Sequence, residues 1–327
     1  MTATDPRPRP LVPGQAALVL DLAAAAEAAD GVAPLSEQTM LHLQHRTGLD
    51  SGLDWVAADG SGNGIAGYAH LDPDPSDPDL SGELVVHPAH RRQGHGTALV
   101  AALAEAAGDG ASENGAPENC APEKRGLRIW AHGDRPAAAE FAKATGFTRA
   151  RELWQMLLPV RDARLPSPAL PDGVTLRTFV PGADEETWLA VNRRAFAHHP
   201  EQGRMTRTDL DLREAEPWFD PAGFFLAERS GELVGFHWTK VHPSGGTDGG
   251  PIGEVYVVGV DPAGQGGGLG KALTIAGLAH LRDRGLAEVM LYVDADNTAA
   301  TRLYENLGFA PWHVDVMYER GARQAPR

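Results

Sequence analysis

The residues best placed to do chemistry lie between Ile252 and Arg284, in the stretch IGEVYVVGVDPAGQGGGLGKALTIAGLAHLRDR. Glycines at 264, 266, 267, 268 and 270 follow an apolar run and precede a segment with helical apolar spacing. A loop of this kind lets the backbone approach a ligand closely, and the unsatisfied N–H groups of the helix start point at whatever binds there; the expected guest is a phosphate. Two common phosphate loops are excluded: a Walker A loop needs Gly at Gln265 and Ser or Thr at Ala272, and no glycine triplet fits G-x-G-x-x-G. What remains is Gln265-x-x-Gly268-x-Gly270. Downstream, Asn297-x-x-Ala300-x-x-x-Tyr304-x-x-x-Gly308-Phe309 follows the apolar run VMLYVD. Asn297 suits a helix N-cap, the small Ala300 leaves room for a ligand chain, and Tyr304 falls one turn later on the same face.

The elements that must hold these groups follow from the spacing. Val255 to Val260 reads as a buried strand, Leu269 to Arg284 as a helix and Glu288 to Val293 as a second strand. The same order occurs earlier: a strand from Glu83 to Val86, His87-Pro88, Arg91-x-x-Gly94-x-Gly96, a helix from Thr97 to Ala107, a strand from Leu127 to Ala131, and Ala144-Thr145-Gly146-Phe147 as the counterpart of Asn306-Leu307-Gly308-Phe309. The chain is therefore an internal repeat. From the second loop glycine to this Gly-Phe is 50 residues in the first copy and 38 in the second, the surplus being GDGASENGAPENCAPEKRG, read as a low-complexity surface insertion. Helices are expected over Leu18 to Ala29, Pro34 to Arg46 and Glu185 to Phe196, and strands over Asp54 to Ala58, Ile65 to His70, Val174 to Phe179, Phe224 to Glu228 and Leu233 to Val241. The residues to about Pro13 read as a disordered lead-in, and Asp72 to Asp79 as a turn-rich loop. The proline-rich Leu158 to Gly173 reads as a linker. The expected layout is α/β: a first domain over 1–157, a linker over 158–173 and a second domain over 174–327, each a mixed twisted sheet flanked by helices.

At 327 residues with 42% hydrophobic content, two cores can be filled. The net charge of −15 argues against nucleic acid or an anionic membrane as partner, so any phosphate site must be local. No apolar run of membrane-spanning length and no signal peptide is read, which leads to the expectation of a cytoplasmic protein. The one cysteine, Cys120, excludes an internal disulfide and reads as an incidental loop thiol; no metal is expected.

The pairing of the Gln265 loop with the Asn297 motif resembles the GCN5-related N-acetyltransferases, the GNAT superfamily, which bind acetyl-CoA. In that superfamily the two central strands splay apart and pantetheine lies along the first like an extra strand, with the thioester in the wedge. N-acetyl transfer needs an unprotonated amine, a base for its proton and an acid for the leaving thiolate. Glu254, at the start of the central strand, is the candidate base, its alternative being a solvent-facing strand-end carboxylate. Tyr304 is the candidate acid, since many members of the superfamily place a tyrosine there; a tyrosine inside a helix also suits a core. The first copy has Ala142 at the matching place and Arg135 for Asn297, so it reads as degenerate and non-catalytic.

The tandem arrangement, the stretch Asn192 to Gly203 and the segment LYVDADNTAATRLYENLGF carry a closer resemblance, over nearly the whole chain, to a branch of the superfamily that acetylates the cysteinyl amine of cysteinyl-glucosaminyl-inositol. That resemblance implies acceptor contacts at Glu37, Glu201, Lys240, Glu254 and Tyr292. It implies acetyl-CoA along Val258, Gly259 and Val260, along Gln265, Gly266, Gly267, Gly268, Leu269, Gly270 and Lys271, and along Asn297, Thr298, Ala299, Ala300, Thr301 and Arg302. A second CoA-type site is implied at Leu84, Val85 and Val86 with Arg92, Gln93, Gly94, His95, Gly96 and Thr97. Gly267 stands where Arg or Lys is frequent in the superfamily, which leaves backbone amides and Lys271 for the pyrophosphate. The expected protein is a monomeric N-acetyltransferase with a small-molecule amine acceptor. The alternatives are a tandem GNAT enzyme acting on an aminoglycoside or a peptide, and a non-catalytic acyl-CoA sensor, against which Glu254 and Tyr304 speak.

Overall fold

The computed structural model describes residues 8–45, 53–61, 64–72, 79–109, 125–197 and 200–321. Cys120 and most of the two loops read from Asp72 and from Gly108 lie outside them. The chain forms two units, Met1–Glu152 with Val314–Arg327, and Leu153–His313.

In the first unit the strands are β1 (Arg9–Pro10), β2 (Asp54–Ala58), β3 (Ile65–Asp72), β4 (Leu80–Val86) and β5 (Leu127–Ala131), joined by the end of a strand at the C-terminus of the chain, β12 (Ala310–Arg320), in the order β1-β2-β3-β4-β5-β12. Helices α1 (Ala16–Asp30), α2 (Glu37–His45), α3 (His95–Asp109) and α4 (Pro136–Ala144) complete it. The expected disordered lead-in is corrected in part: Arg9 and Pro10 pair with Val56 and Trp55. β4 and β5 run parallel with register over Leu80–Gly82 and Leu127–Ile129 and then part.

The second unit has β6 (Thr148–Pro159), whose Leu153–Pro159 portion pairs with β11 (Glu288–Asp294), then β10 (Ile252–Val260), β9 (Glu232–His242), β8 (Phe224–Arg229) and β7 (Val174–Thr178), in the order β6-β11-β10-β9-β8-β7. β6 reaches two residues into the stretch read as linker, because Leu158 is 3% exposed and pairs with Val289 in the core. Its helices are α5 (Glu185–Ala195), α6 (Pro200–Gly203), α7 (Arg207–Glu214), α8 (Leu269–Asp283) and α9 (Thr298–Asn306). α7 is fixed by a capping box: the Thr206 hydroxyl accepts from Asp209 N, and the Asp209 carboxylate accepts from Thr206 N.

One irregularity organises this unit. Opposite β9, β10 carries an extra residue between Val255 and Val257, and the parallel register of β10 with β11 is confined to Gly253, Glu254 and Val255. A bulge shifts the alternation of faces by one. Val255, Val258 and Val260 therefore pack with residues of α8, while Glu254, Val257 and Gly259 face the α5 side, where Val257 joins Trp188 and Trp238. That side is built on aromatic rings: Phe224 stacks on Trp238 at 4.6 Å, and Trp188 meets Trp238 edge-on at 5.7 Å. Rings of this size bury about 150–250 Å² each and leave a rigid floor.

Candidate active site

The glycine loop is shaped for close approach. Gly266, Gly267 and Gly268 have φ of +96°, +61° and +81°, a left-handed run that side chains resist. Gly268 is the N-cap of α8, so the first N–H groups of that helix are presented to the loop rather than to preceding carbonyls. Ahead of the loop, Asp261 accepts from Ala263 N at 2.9 Å and from Arg194 Nε at 2.6 Å; its burial works to raise the carboxyl pKa, but these donors outweigh it and hold the carboxyl below its usual range. Lys271 is exposed beside the loop.

Past Val255, β10 has no ladder with β11, so Val258, Gly259 and Val260 have a strand edge free on that side. α9 begins near the far wall of this gap. Its N-cap is Asn297, whose Oδ1 accepts from Ala300 N at 3.1 Å, and Ala300 and Tyr304 both pack on the core that contains Val255 and Val293. Tyr304 meets Phe309 edge-on at 5.8 Å, and burial pushes its hydroxyl up to about 12. Among the described residues the hydroxyl has no hydrogen-bond partner. A phenol so placed stays protonated at neutral pH and is free to donate to a group in the gap.

The opposite face holds the carboxylate. Glu254 is 5% exposed, not a solvent-facing strand end, and Lys240 lies directly across from it on β9. Lys240 is 7% exposed, with Nζ 4.4 Å from the Trp218 ring centre and 5.1 Å from that of Tyr256, whose hydroxyl accepts from Arg213 Nε at 2.7 Å. Tyr292, two residues beyond Met290, the β11 partner of Glu254, shares the face and is 41% exposed. The structure thus brings Glu254, Lys240 and Tyr292 to one face and Tyr304 to the other, beside the gap where β10 and β11 part. Glu37 opens α2 in the first unit. Glu201 lies in α6, and its side chain is outside the described residues.

Comparison with known proteins accounts for this arrangement. Residues 192–309 match the acetyltransferase (GNAT) family, and residues 51–149 match an acetyltransferase (GNAT) domain. A mycothiol acetyltransferase from Thermobispora bispora is 58% identical over 308 residues, 94% of this chain and 97% of that one. The chain belongs to the mycothiol acetyltransferase family. It is therefore a tandem GNAT acetyltransferase. A GCN5-related N-acetyltransferase from Sphaerobacter thermophilus is similar over 98% of this chain and 96% of its own, with 28% identity and a TM-score of 0.66. A tandem GNAT protein from the clavulanic acid biosynthesis pathway shares the fold, with a TM-score of 0.67 at 20% identity over 98% of this chain and 99% of its own.

The first unit of this mycothiol acetyltransferase family member keeps part of the loop shape, although Gln93, the counterpart of Gly267, lacks its left-handed φ. Arg92 and Gly94 have φ of +63° and +91°, matching Gly266 and Gly268, and β4 past Gly82 parts from β5 as β10 parts from β11. Arg91 forms a two-pronged pair with Asp30 at 2.9 and 2.7 Å and donates through Nε to Val86 O. Arg135 replaces the cap: it makes no capping bond and instead donates to the Asp30 carbonyl at 2.6 Å. Sequence reasoning missed Trp218, Tyr256, Arg213 and His242 around the face that holds Glu254 and Lys240, since nothing local in the chain links α7 to β9. Among the described residues no helix is long and apolar enough to cross a membrane, and no group of His, Cys, Asp and Glu is arranged to hold a metal.

Proposed function

We propose that the second unit transfers the acetyl group of acetyl-CoA to the cysteinyl amine of cysteinyl-glucosaminyl-inositol, with Glu254 taking the amine proton and Tyr304 supplying the proton for the thiolate. The observation that carries this is the gap itself. β10 leaves β11 immediately after Glu254 and Val255, with a buried carboxylate on one face and a partly buried, protonated phenol on the other.

Acetyl-CoA supplies the acyl group as a thioester. Backbone groups of Val258, Gly259 and Val260 hydrogen-bond the pantetheine as an added strand. The amides and left-handed glycines from Gln265 to Gly270, with Lys271, hold the pyrophosphate. Residues Asn297 to Arg302 line the other side, with Ala300 leaving room. In the first unit Leu84 to Val86 and Arg92 to Thr97 form a corresponding site without an acid.

The acceptor is a polyol carrying an amine, so carboxylates suit it as hydrogen-bond acceptors and counter-ions. Glu254, Lys240 and Tyr292 contact it from the second unit. An α-amino group has a pKa near ~8, so a carboxylate base suffices once the amine is held against it. The amine lone pair attacks the thioester carbonyl, its proton passes to Glu254, and the C–S electron pair leaves with sulfur, which takes a proton from Tyr304.

The test is to incubate the protein with acetyl-CoA and, in separate reactions, cysteinyl-glucosaminyl-inositol, an aminoglycoside and a peptide amine, following release of free CoA thiol. Release with the first acceptor alone supports the proposal. Turnover restricted to another amine, or CoA binding without turnover of any, replaces it with one of the other two readings.

A further inference from the structure

The carboxylate read as the base has a partner which that reading does not use. His242, the last residue of β9, places Nε2 2.7 Å from Glu254 Oε2. The histidine side chain is 27% exposed and that of Glu254 7%, so one end of the pair reaches solvent while the other is shut away. The second carboxylate oxygen, Oε1, has no hydrogen-bond partner among the described residues.

We propose that His242 is a positioning residue for acetyl transfer: it holds the Glu254 carboxylate with Oε1 turned to the acceptor amine. This rests on the reading of Glu254 as the base. A buried carboxylate needs a donor to stay ionised, and one strong donor at Oε2 both provides it and fixes the rotamer. A neutral imidazole donating from Nε2 leaves the carboxylate able to take a proton at Oε1. An imidazolium would hold the carboxylate in an ion pair and make it a poorer base. The proton balance of the transfer closes without the histidine: the amine proton goes to Oε1, sulfur takes its proton from Tyr304, and His242 keeps its Nε2 proton throughout. The ionisable groups on the elements around the pair are Lys240 on β9, Tyr256 on β10, Arg213 on α7, Tyr292 and Glu288 on β11, and Asp248 in the loop after β9. All of them are retained in the variants below, so their influence is common to every profile.

The test compares His242→Gln, which keeps an N–H donor, with His242→Ala, which has none, in the full-length protein. His242→Ala should lower kcat about 10-fold or more, the usual scale for a lost hydrogen bond to a charged group, while the KM for acetyl-CoA stays within about twofold. His242→Gln should recover most of that loss above pH ~8. Wild-type kcat in both variants overturns the proposal. So does an equal loss in both, which is the mark of a merely structural histidine. Glu254→Gln separates the two layers: if it turns over like wild type, the base assignment fails; if it is inactive while both His242 variants match wild type, only the role of His242 fails.

Discussion

Tyr304 and Ala142 occupy the same place in the two halves: the Tyr304 carbonyl accepts from Phe309 N at 3.0 Å, and the Ala142 carbonyl accepts from Phe147 N at 2.8 Å. The backbone of the motif is duplicated, down to left-handed Gly308 and Gly146, while the phenol exists in one copy only. Tyr304→Phe should lower kcat about 10²-fold, the scale of losing a general acid, and leave acetyl-CoA affinity nearly unchanged. Unchanged turnover, with chemistry shown to limit the rate, removes Tyr304 from the mechanism.

The two glycine loops allow a matched comparison. A β-branched residue is strained at a left-handed φ even though open space surrounds Gly268 and Gly94. Gly268→Val should raise the KM for acetyl-CoA about 10-fold or more, whereas Gly94→Val should keep kcat within about twofold, as expected of independent sites. Steady-state kinetics with CoA stoichiometry by calorimetry check both. A folded Gly94→Val protein as inactive as Gly268→Val contradicts the assignment of catalysis to the second unit.

Lys240 offers a test of the proposed acceptor face. Its ammonium is buried over Trp218 and Tyr256 with Glu254 across the ladder. Lys240→Met keeps the stem and removes the charge. The acceptor KM should rise about 10-fold, close to 1.4 kcal/mol, with the acetyl-CoA KM unaffected. An effect on acetyl-CoA alone moves Lys240 out of the acceptor site.

Much of the site was legible because it is local. The Gln265 loop and the Asn297 cap are short motifs whose residue types dictate their own backbone, and each appears in the structure as the spacing requires. β6 and β12 were missed for the opposite reason. Thr148-Arg149-Ala150-Arg151-Glu152 and Ala310-Pro311-Trp312-His313 start these strands with mostly polar or exposed residues, and the later portions, Leu153–Pro159 and Val316–Arg320, are paired with β11 and β5, partners that no local pattern names. The bulge at Val255–Val257 was equally invisible. It puts Glu254 on the face of Lys240 while Val258 and Val260 keep the α8 face, and it depends on how β9 pairs rather than on which residues β10 contains.

Stability carries its own pH signature. His237 is fully buried, its Nδ1 lies 2.7 Å from Leu273 O, and burial pushes its pKa down to about 4. A histidine whose folded pKa is depressed contributes stability that is complete above its unfolded value of ~6.5 and is lost as pH falls toward about 4. Denaturant midpoints for wild type and His237→Asn should therefore converge between about pH 6.5 and pH 4. A constant difference across that window means the ring does not stay neutral in the fold. Gly277→Ala bears on the same contact: a Cβ there would lie 2.0 Å from His237 Cε1, so the variant should lose about 1–3 kcal/mol.

The most direct measurement is the identity of the product. Wild type and Glu254→Gln, each with acetyl-CoA and cysteinyl-glucosaminyl-inositol, are followed by CoA thiol release and by mass spectrometry of the acceptor before and after hydroxylamine, which cleaves thioesters but not amides. The expected result is a singly acetylated product that survives hydroxylamine and still carries a free thiol, formed by wild type and about 10²-fold more slowly by Glu254→Gln near neutral pH. An acetyl group removed by hydroxylamine, or no acetylation of this acceptor while another amine turns over, contradicts transfer to the cysteinyl amine.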